Sequence, residues 1–201
     1  MRPYINLAEK LGAFAGQLTE TSISAIEVIY AGGVSKLNTK PLTAAAVAGV
    51  LKPMLSEINV INAPLIAKDR GIAIAETFRD SDENYESNIR LRVVTERNDR
   101  AVAGAIFGGA PKIIEVKGVR MEAGFDQHML YTTNEDKPGF IGSLGVALGE
   151  SEVNIGNFNL GRSGQGGEAI ALISVDEAVS ADVLEKVNAL SHVRQAKALS
   201  F

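Results

Sequence analysis

The sequence predicts an α+β protein of two domains, the first of them built on an antiparallel sheet. The chain has 201 residues, which at roughly 150 residues per domain is one large domain or two small ones. Helical spacing of apolar residues recurs in some segments, and strict alternation of apolar and polar residues recurs in others. The order of these segments changes after residue 126. We therefore expect domains at 1–124 and 127–201, with the boundary near Ala123–Asp126.

Composition narrows the class of protein. Apolar residues make up 46% of the chain and charged residues 22%, and the formal net charge is −4. The acidic net charge argues against binding of nucleic acid, because phosphate binding favours a basic surface. No apolar run approaches the ~20 residues that span a bilayer, and the start of the chain has no apolar signal segment. We expect a cytoplasmic protein with no membrane partner.

Several cofactor and metal classes find no support in the sequence. The chain has no cysteine, which excludes disulfides, thiolate-held clusters and cysteine nucleophiles. A metal site would have to use His128 or His192, and a lone histidine is more often structural. The dinucleotide-binding glycine pattern and the Walker pattern are both absent, and the glycine-rich stretch Gly161–Gly167 lies between two predicted strands. We expect no cofactor, no metal and no catalytic residue in this chain.

The first domain is expected to combine three helices with strands. The polar stretch Asp80–Ser87 predicts a turn, and the segments across 72–122 read as a run of antiparallel strands. The helices are expected at 3–20, Leu42–Met54 and 59–70, and the strands at Ile23–Tyr30, Ile72–Phe78, Ile89–Thr95, Ala101–Phe107 and Lys112–Val116.

The second domain shows a strand–helix–strand–strand–helix–strand order. That order, within about 75 residues, predicts a ferredoxin-like fold, one sheet with both helices on one face. The segments in order are Gln127–Thr133, Pro138–Gly149, Val153–Leu160, Glu168–Val175, Ala181–Leu190 and Val193–Phe201.

The loop before the first helix of this domain is the leading candidate site. Asp136 is placed to cap the helix, Pro138 suits its first turn, and Gly139 removes a side chain from the loop. A helix N-terminus favours a carboxylate, and Asp136 would suit an ammonium group. The loop could therefore hold an α-amino acid, although a capped helix with no ligand explains the same residues.

Two other features allow more than one interpretation. Asn154 starts a predicted strand and could complete a small ligand site, or it could be an ordinary turn asparagine. Basic residues also cluster in the middle of the chain, as a solvated face or as an anion site. They are Arg90, Arg92, Arg97, Arg100, Lys112, Lys117 and Arg120.

These residues carry a resemblance to a known family. The stretch Gln127–Asn154, with Asn134–Gly142 and Val153–Ile155, resembles an ACT domain, a small-molecule sensor that commonly binds amino acids. Earlier stretches resemble the intervening domain of the long, type 1 D-3-phosphoglycerate dehydrogenases. They are Leu7–Gly12, Asn38–Lys40, Asn59–Pro64, Val94–Arg97, Gly118 and Met121–Ala123.

The resemblance implies a regulatory and oligomerising portion that is no enzyme by itself. In this family the catalytic domains oxidise 3-phosphoglycerate with NAD at the first step of L-serine biosynthesis, and these domains are missing here. L-serine, or another small amino acid, would bind where two ACT domains associate, at Asn134, Asp136 and Asn154, with Pro138 and Gly139 in the loop. The family's intervening domain can hold an anion, and there Lys112 matches one basic position.

Two alternatives share parts of this pattern. The β chain of the iron–sulfur L-serine dehydratase has the same domain order, but its serine-rich histidine motif is missing here. An amino-acid-binding regulator or a pure dimerisation module outside a dehydrogenase would share the ACT-like residues. The resemblance to the dehydrogenase covers essentially the whole chain, and gene context or a longer reading frame would separate it from such a regulator.

Overall fold

A computed structural model describes residues 1–80 and 85–201. The chain forms two compact units, Met1–Lys117 and Gly118–Phe201. The division therefore lies a few residues before the expected boundary at Ala123–Asp126. Of the predicted turn at Asp80–Ser87, residues 81–84 lie outside the described residues.

The first unit contains every helix and strand expected there, with shifted ends. A short 3-10 turn at Gly33–Lys36 also follows the first strand. The elements are α1 (Arg2–Gln17), β1 (Ile23–Gly32), α2 (Lys40–Leu51), α3 (Ala63–Asp69), β2 (Ala73–Arg79), β3 (Ser87–Thr95), β4 (Arg100–Phe107) and β5 (Ala110–Val116).

The sheet of the first unit corrects one prediction. Its strands lie in the order β2-β1-β3-β4-β5, and β2 runs parallel to β1, with Ile26 beside Ile74. The expectation that all strands after residue 72 are antiparallel was therefore wrong for β2. Helices α2 and α3 carry the chain back along the sheet between β1 and β2, and such a crossover makes two strands parallel. The pairs β1–β3, β3–β4 and β4–β5 are antiparallel as expected.

Helices α1 and α2 approach each other closely through glycines. A Cβ on Gly12 would lie 2.2 Å from the carbonyl oxygen of Ala46, and a Cβ on Gly49 would lie 2.2 Å from that of Glu9. Any side chain at either position would force the helices apart. The alanine-rich α2 is buried along most of its length, so a close crossing is how this unit fills its interior.

The second unit has the predicted ferredoxin-like order after one additional strand. Its sheet is antiparallel throughout, in the order β10-β7-β9-β8, so that β8 lies at an edge. The elements are β6 (Val119–Ala123), β7 (His128–Glu135), α4 (Phe140–Gly149), β8 (Ile155–Arg162), β9 (Glu168–Val175), α5 (Ala181–Asn188) and β10 (Val193–Ser200).

Helix α4 is amphipathic in its packing. Phe140, Leu144 and Leu148 are buried in a core that strands β7 and β9 share with α5. Outside that core, Ile141 is 55% exposed and Val146 is 59% exposed. The unit therefore has a buried core, and α4 also carries two exposed apolar side chains.

Candidate functional site

The loop that follows β7 is fixed by backbone hydrogen bonds. The N–H of Glu135 donates to the carbonyl of His192 at 3.0 Å, and the N–H of Asp136 donates to the carbonyl of Gly167 at 3.0 Å. Gly139 occupies the position before the helix with φ of 93°, a conformation that favours glycine. The loop thus has a defined shape, with Pro138 and Gly139 both exposed at its mouth.

Asp136 does not cap α4, which corrects the sequence prediction. Its carboxylate Oδ2 accepts from the N–H of Gly166 at 3.0 Å and from Nη1 of Arg162 at 3.2 Å. The helix begins only at Phe140, beyond the reach of this side chain, and Pro138 lies before the helix and not in its first turn. The carboxylate of Asp136 therefore binds the hairpin that contains Gly166 and Arg162 instead of capping α4.

The same contacts shift the acidity of Asp136. The N–H of Gly166 lowers the pKa of the carboxyl, and the hydrogen bond and charge of Arg162 lower it further, against a partial loss of hydration. Asp136 is therefore a carboxylate at neutral pH. It lies next to an exposed guanidinium, so this end of the sheet offers both signs of charge that an α-amino acid carries.

Asn134 lies beneath the loop and is only 1% exposed. Its Nδ2 donates to the carbonyl of Glu135 at 3.0 Å. Its Oδ1 is buried and has no hydrogen-bond partner among the described residues. In this conformation Asn134 presents almost no surface to a ligand, so a direct contact would require the loop to move.

Asn154 lies far from the other candidate residues in the same chain. It is exposed, and its Nδ2 donates to Oδ2 of Asp176 at 2.6 Å. Asn154 immediately precedes β8, whereas Asp136 contacts Arg162 at the other end of that strand. At ~3.3 Å per residue, roughly 25 Å separates the two ends. One chain therefore does not bring Asn154 together with Asn134 and Asp136.

Arg162 is a site residue that the sequence analysis did not single out. It lies 26 positions from Asp136 in a glycine-rich stretch that was interpreted only as a hairpin turn. The pairings of β7 with β9 and of β8 with β9 bring it beside the loop. Only the register of the hairpin would have revealed this contact.

Part of the basic cluster in the first unit is neutralised by acids. Arg90 pairs with Glu115 at 2.8 Å, and Arg92 pairs with Asp99 at 2.5 Å and with Glu27 at 3.3 Å. Lys112 is half-buried on β5, opposite Ala105 of β4. The solvated, ion-paired interpretation thus describes Arg90 and Arg92.

The two histidines lie at the starts of two neighbouring strands of the second unit. His128 begins β7, and His192 lies just before β10. Within the part of the chain that the structure describes, no group of three or more acidic or histidine side chains could hold a metal ion. No described helix is long and apolar enough to cross a membrane.

Comparison with known proteins identifies the family of the chain. The family model of the D-3-phosphoglycerate dehydrogenase intervening domain matches residues 1–117. The chain belongs to this dehydrogenase family. The ACT domain model matches residues 128–192, in the unit whose fold and order were predicted as ferredoxin-like.

Curated relatives agree with this assignment and show how much of the enzyme is present. D-3-phosphoglycerate dehydrogenase of Methanocaldococcus jannaschii is 32% identical over 195 residues, which is 96% of this chain and 37% of that protein. The enzyme of Synechocystis is 33% identical over 199 residues, 98% of this chain and 36% of that protein. The chain therefore spans little more than a third of the relatives it matches. It corresponds to the regulatory part of the dehydrogenase and not to its catalytic domain.

Proposed function

We propose that this chain is the amino-acid-sensing part of a D-3-phosphoglycerate dehydrogenase and that L-serine binds between two of its ACT domains. The catalytic domains of the whole protein would oxidise 3-phosphoglycerate with NAD, the first step of L-serine biosynthesis. Binding of the end product to a separate domain would then regulate the first step.

Self-association through the second unit is supported by its surface. Strand β8 ends the sheet, and an edge strand presents backbone groups that a second strand can pair with. Leu160 on β8 and Ile141 and Val146 on α4 are exposed apolar side chains, and such exposed groups favour a protein partner where they are contiguous. A second copy, pairing edge to edge along β8, would use these features.

The positions of the candidate residues carry the proposal of a shared site. In an antiparallel pair related by a two-fold axis, the start of one strand lies beside the end of the other. Such pairing along β8 would bring Asn154 of the partner subunit toward Asp136 and Arg162. Asn154, which lies apart from the other two residues in one chain, would then join Asp136 and Arg162 around one ligand.

The chemistry of these groups suits L-serine. The carboxylate of Asp136 would accept from the ammonium group, and the guanidinium of Arg162 would bind the carboxylate. Asn154 of the partner subunit, with a donor and an acceptor in one amide, would bind the hydroxyl. Pro138 and Gly139, both exposed at the mouth of the loop, place no large side chain there.

Regulation would follow from the position of the ligand between two subunits. A ligand that bridges two domains stabilises the arrangement in which both contacts are made. It shifts the equilibrium only by its difference in affinity for the two arrangements. The catalytic domains of the whole enzyme would follow the arrangement that serine stabilises.

Calorimetric titration with L-serine tests this proposal, with D-serine, glycine and L-alanine as controls. We expect selective binding of L-serine and a larger dimer fraction in sedimentation when it is present. Val146→Asp should abolish both while circular dichroism stays unchanged. Undiminished serine binding by a monomeric Val146→Asp chain would contradict a shared site, and a stable dimer without any binding would leave a dimerisation module only.

A further inference from the structure

A small pocket in the first unit lies where the β3–β4 turn meets the segment between α1 and β1. Its volume is about 140 Å³, and Glu20, Thr21, Arg97, Asn98 and Arg100 line it. That volume is well below the ~300 Å³ of the smallest usual sites for drug-sized ligands. The pocket therefore has room for one small group.

The walls of this pocket are held in place by the turn itself. Thr95 Oγ1 donates to the carbonyl of Asn98 at 2.9 Å and accepts from the N–H of Asn98 at 3.1 Å. The N–H of Glu96 donates to the carbonyl of Ser22 at 3.3 Å, which ties the turn to the segment before β1. Arg97, Asn98 and Arg100 are thus presented by a fixed backbone.

Arg100 is the unusual member of the lining. It is only 6% exposed, and its Nε is buried without a hydrogen-bond partner within residues 1–80 and 85–201. A guanidinium stays protonated in proteins, and a buried charge is costly unless it is paired. The more exposed Arg90 and Arg92 each have a carboxylate partner. Arg100 is thus a buried arginine whose Nε has no hydrogen-bond partner among the described residues.

We propose that this pocket binds a small oxyanion, a phosphate group, with Arg100 and Arg97 as its charged ligands. Asn98 and Thr21 would add neutral donors, and the two arginines outweigh the single carboxylate of Glu20 among the lining residues. Arginine is well suited to this role because its planar fork of donors matches phosphate oxygens.

The pocket is separate from the position of Lys112. Lys112 pairs with Ala105 on β4, and Arg100 begins that strand. Five residues of strand separate the two positions, roughly 17 Å. An anion at Lys112 would therefore not occupy this pocket, and the two positions can be tested separately.

Titration of the chain with inorganic phosphate tests the proposal, with sodium chloride at equal ionic strength as the reference. Glycerol phosphate, titrated in parallel, distinguishes a site for free phosphate from a site for phosphate monoesters. We expect saturable binding of at least one of the two and a matching rise of the thermal midpoint. No binding of either anion beyond the chloride reference would overturn the proposal.

Variants connect that binding to Arg100. Arg100→Met should weaken phosphate binding about tenfold or more. It should leave the phosphate-free chain at least as stable, since it removes a buried guanidinium whose Nε has no hydrogen-bond partner among the described residues. Arg92→Gln, an exposed arginine of the neighbouring strand, is the matched control and should bind as the wild type does. Wild-type affinity in Arg100→Met would overturn the proposal.

If Arg100→Met does not fold, Arg97→Gln replaces an exposed member of the lining and should weaken binding several-fold. Unchanged phosphate affinity in that variant would count against the pocket. Serine binding should be unaffected in all three variants, so failure of the phosphate site and failure of the proposed serine site are distinguishable.

Discussion

Asp136 and Asn154 lie at opposite ends of strand β8, although both are candidate ligands for one small molecule. Asp136 holds Arg162 at the last position of the strand, and Asn154 pairs with Asp176 before its first position. Either one of the two residues is not part of the site, or the site is completed by a second chain. Edge pairing of β8 is the arrangement that unites them.

Asp136 should make the second unit sensitive to acid. Because its folded-state pKa lies below the ordinary value of ~3.9, its contribution to stability is present above that value and disappears as pH falls through the lowered pKa. We expect the difference in unfolding free energy between wild type and Asp136→Asn to shrink from pH 6 to pH 2. Urea unfolding followed by circular dichroism measures it.

Glu177→Gln removes one exposed carboxylate between β9 and α5 and controls for the change in net charge. The contrary result is that the unfolding free energies of wild type and Asp136→Asn differ by a constant or growing amount as the pH falls. That result would show that the contact with Gly166 and Arg162 does not stabilise the fold.

Tyr30 should make the first unit sensitive to alkali. Its hydroxyl lies 2.7 Å from Oγ1 of Thr43, and since Thr43 donates to Glu76, Tyr30 is the donor of this pair. Burial raises the pKa of Tyr30 well above its ordinary value. The unfolded chain would release this proton near pH ~10, so the stability gained from the protonated hydroxyl is present below that pH and is lost as pH rises further.

Tyr30→Phe should therefore cost about 1 kcal/mol at neutral pH and should lose less stability than wild type between pH 9 and pH 11. Tyr4→Phe, which changes a half-buried tyrosine of α1, is the matched control. Parallel stability curves for wild type and Tyr30→Phe over this range would contradict the assignment.

The crossing of α1 and α2 should not tolerate a methyl group at Gly49. Alanine is the better helix former by up to ~1 kcal/mol, but its Cβ would lie 2.2 Å from the carbonyl oxygen of Glu9. Because overpacking of this kind commonly costs about 1–3 kcal/mol or more, we expect Gly49→Ala to be destabilised on balance in urea unfolding. Gly145→Ala in α4, where nothing lies within 4 Å of the added Cβ, should be neutral or stabilised. A Gly49→Ala chain as stable as wild type would show that the helices can separate at little cost.

Local patterns predicted most of the fold. Helical and strand periodicity predicted the order of elements in both units, because each segment has one face in a core. The direction of β2 was missed, since alternation describes a strand and not its neighbour. The role of Asp136 was missed for a related reason. A capping preference is read from adjacent residues, whereas the contact with Gly166 depends on a hairpin 30 positions away.

The sequence predicted which residues belong to the candidate site but not how they are arranged in space. Asn134, Asp136 and Asn154 were chosen from sequence, but their burial and separation required coordinates. Arg162 and the buried Arg100 carried no distinct sequence signal beyond their charge. Both owe their environment to strand register, which no single segment determines.

The most direct test of a shared site mixes two variants that are each defective. Asp136→Ala and Asn154→Ala chains should each lose serine binding when assayed separately. Unfolded together and refolded as a mixture, they should regain about a quarter of the wild-type sites, since about half of the dimers are mixed and each has one intact site. Calorimetric titration counts those sites. Recovery with wild-type affinity is the result we expect, and no recovery from a mixture shown to contain mixed dimers would contradict a site built from both subunits.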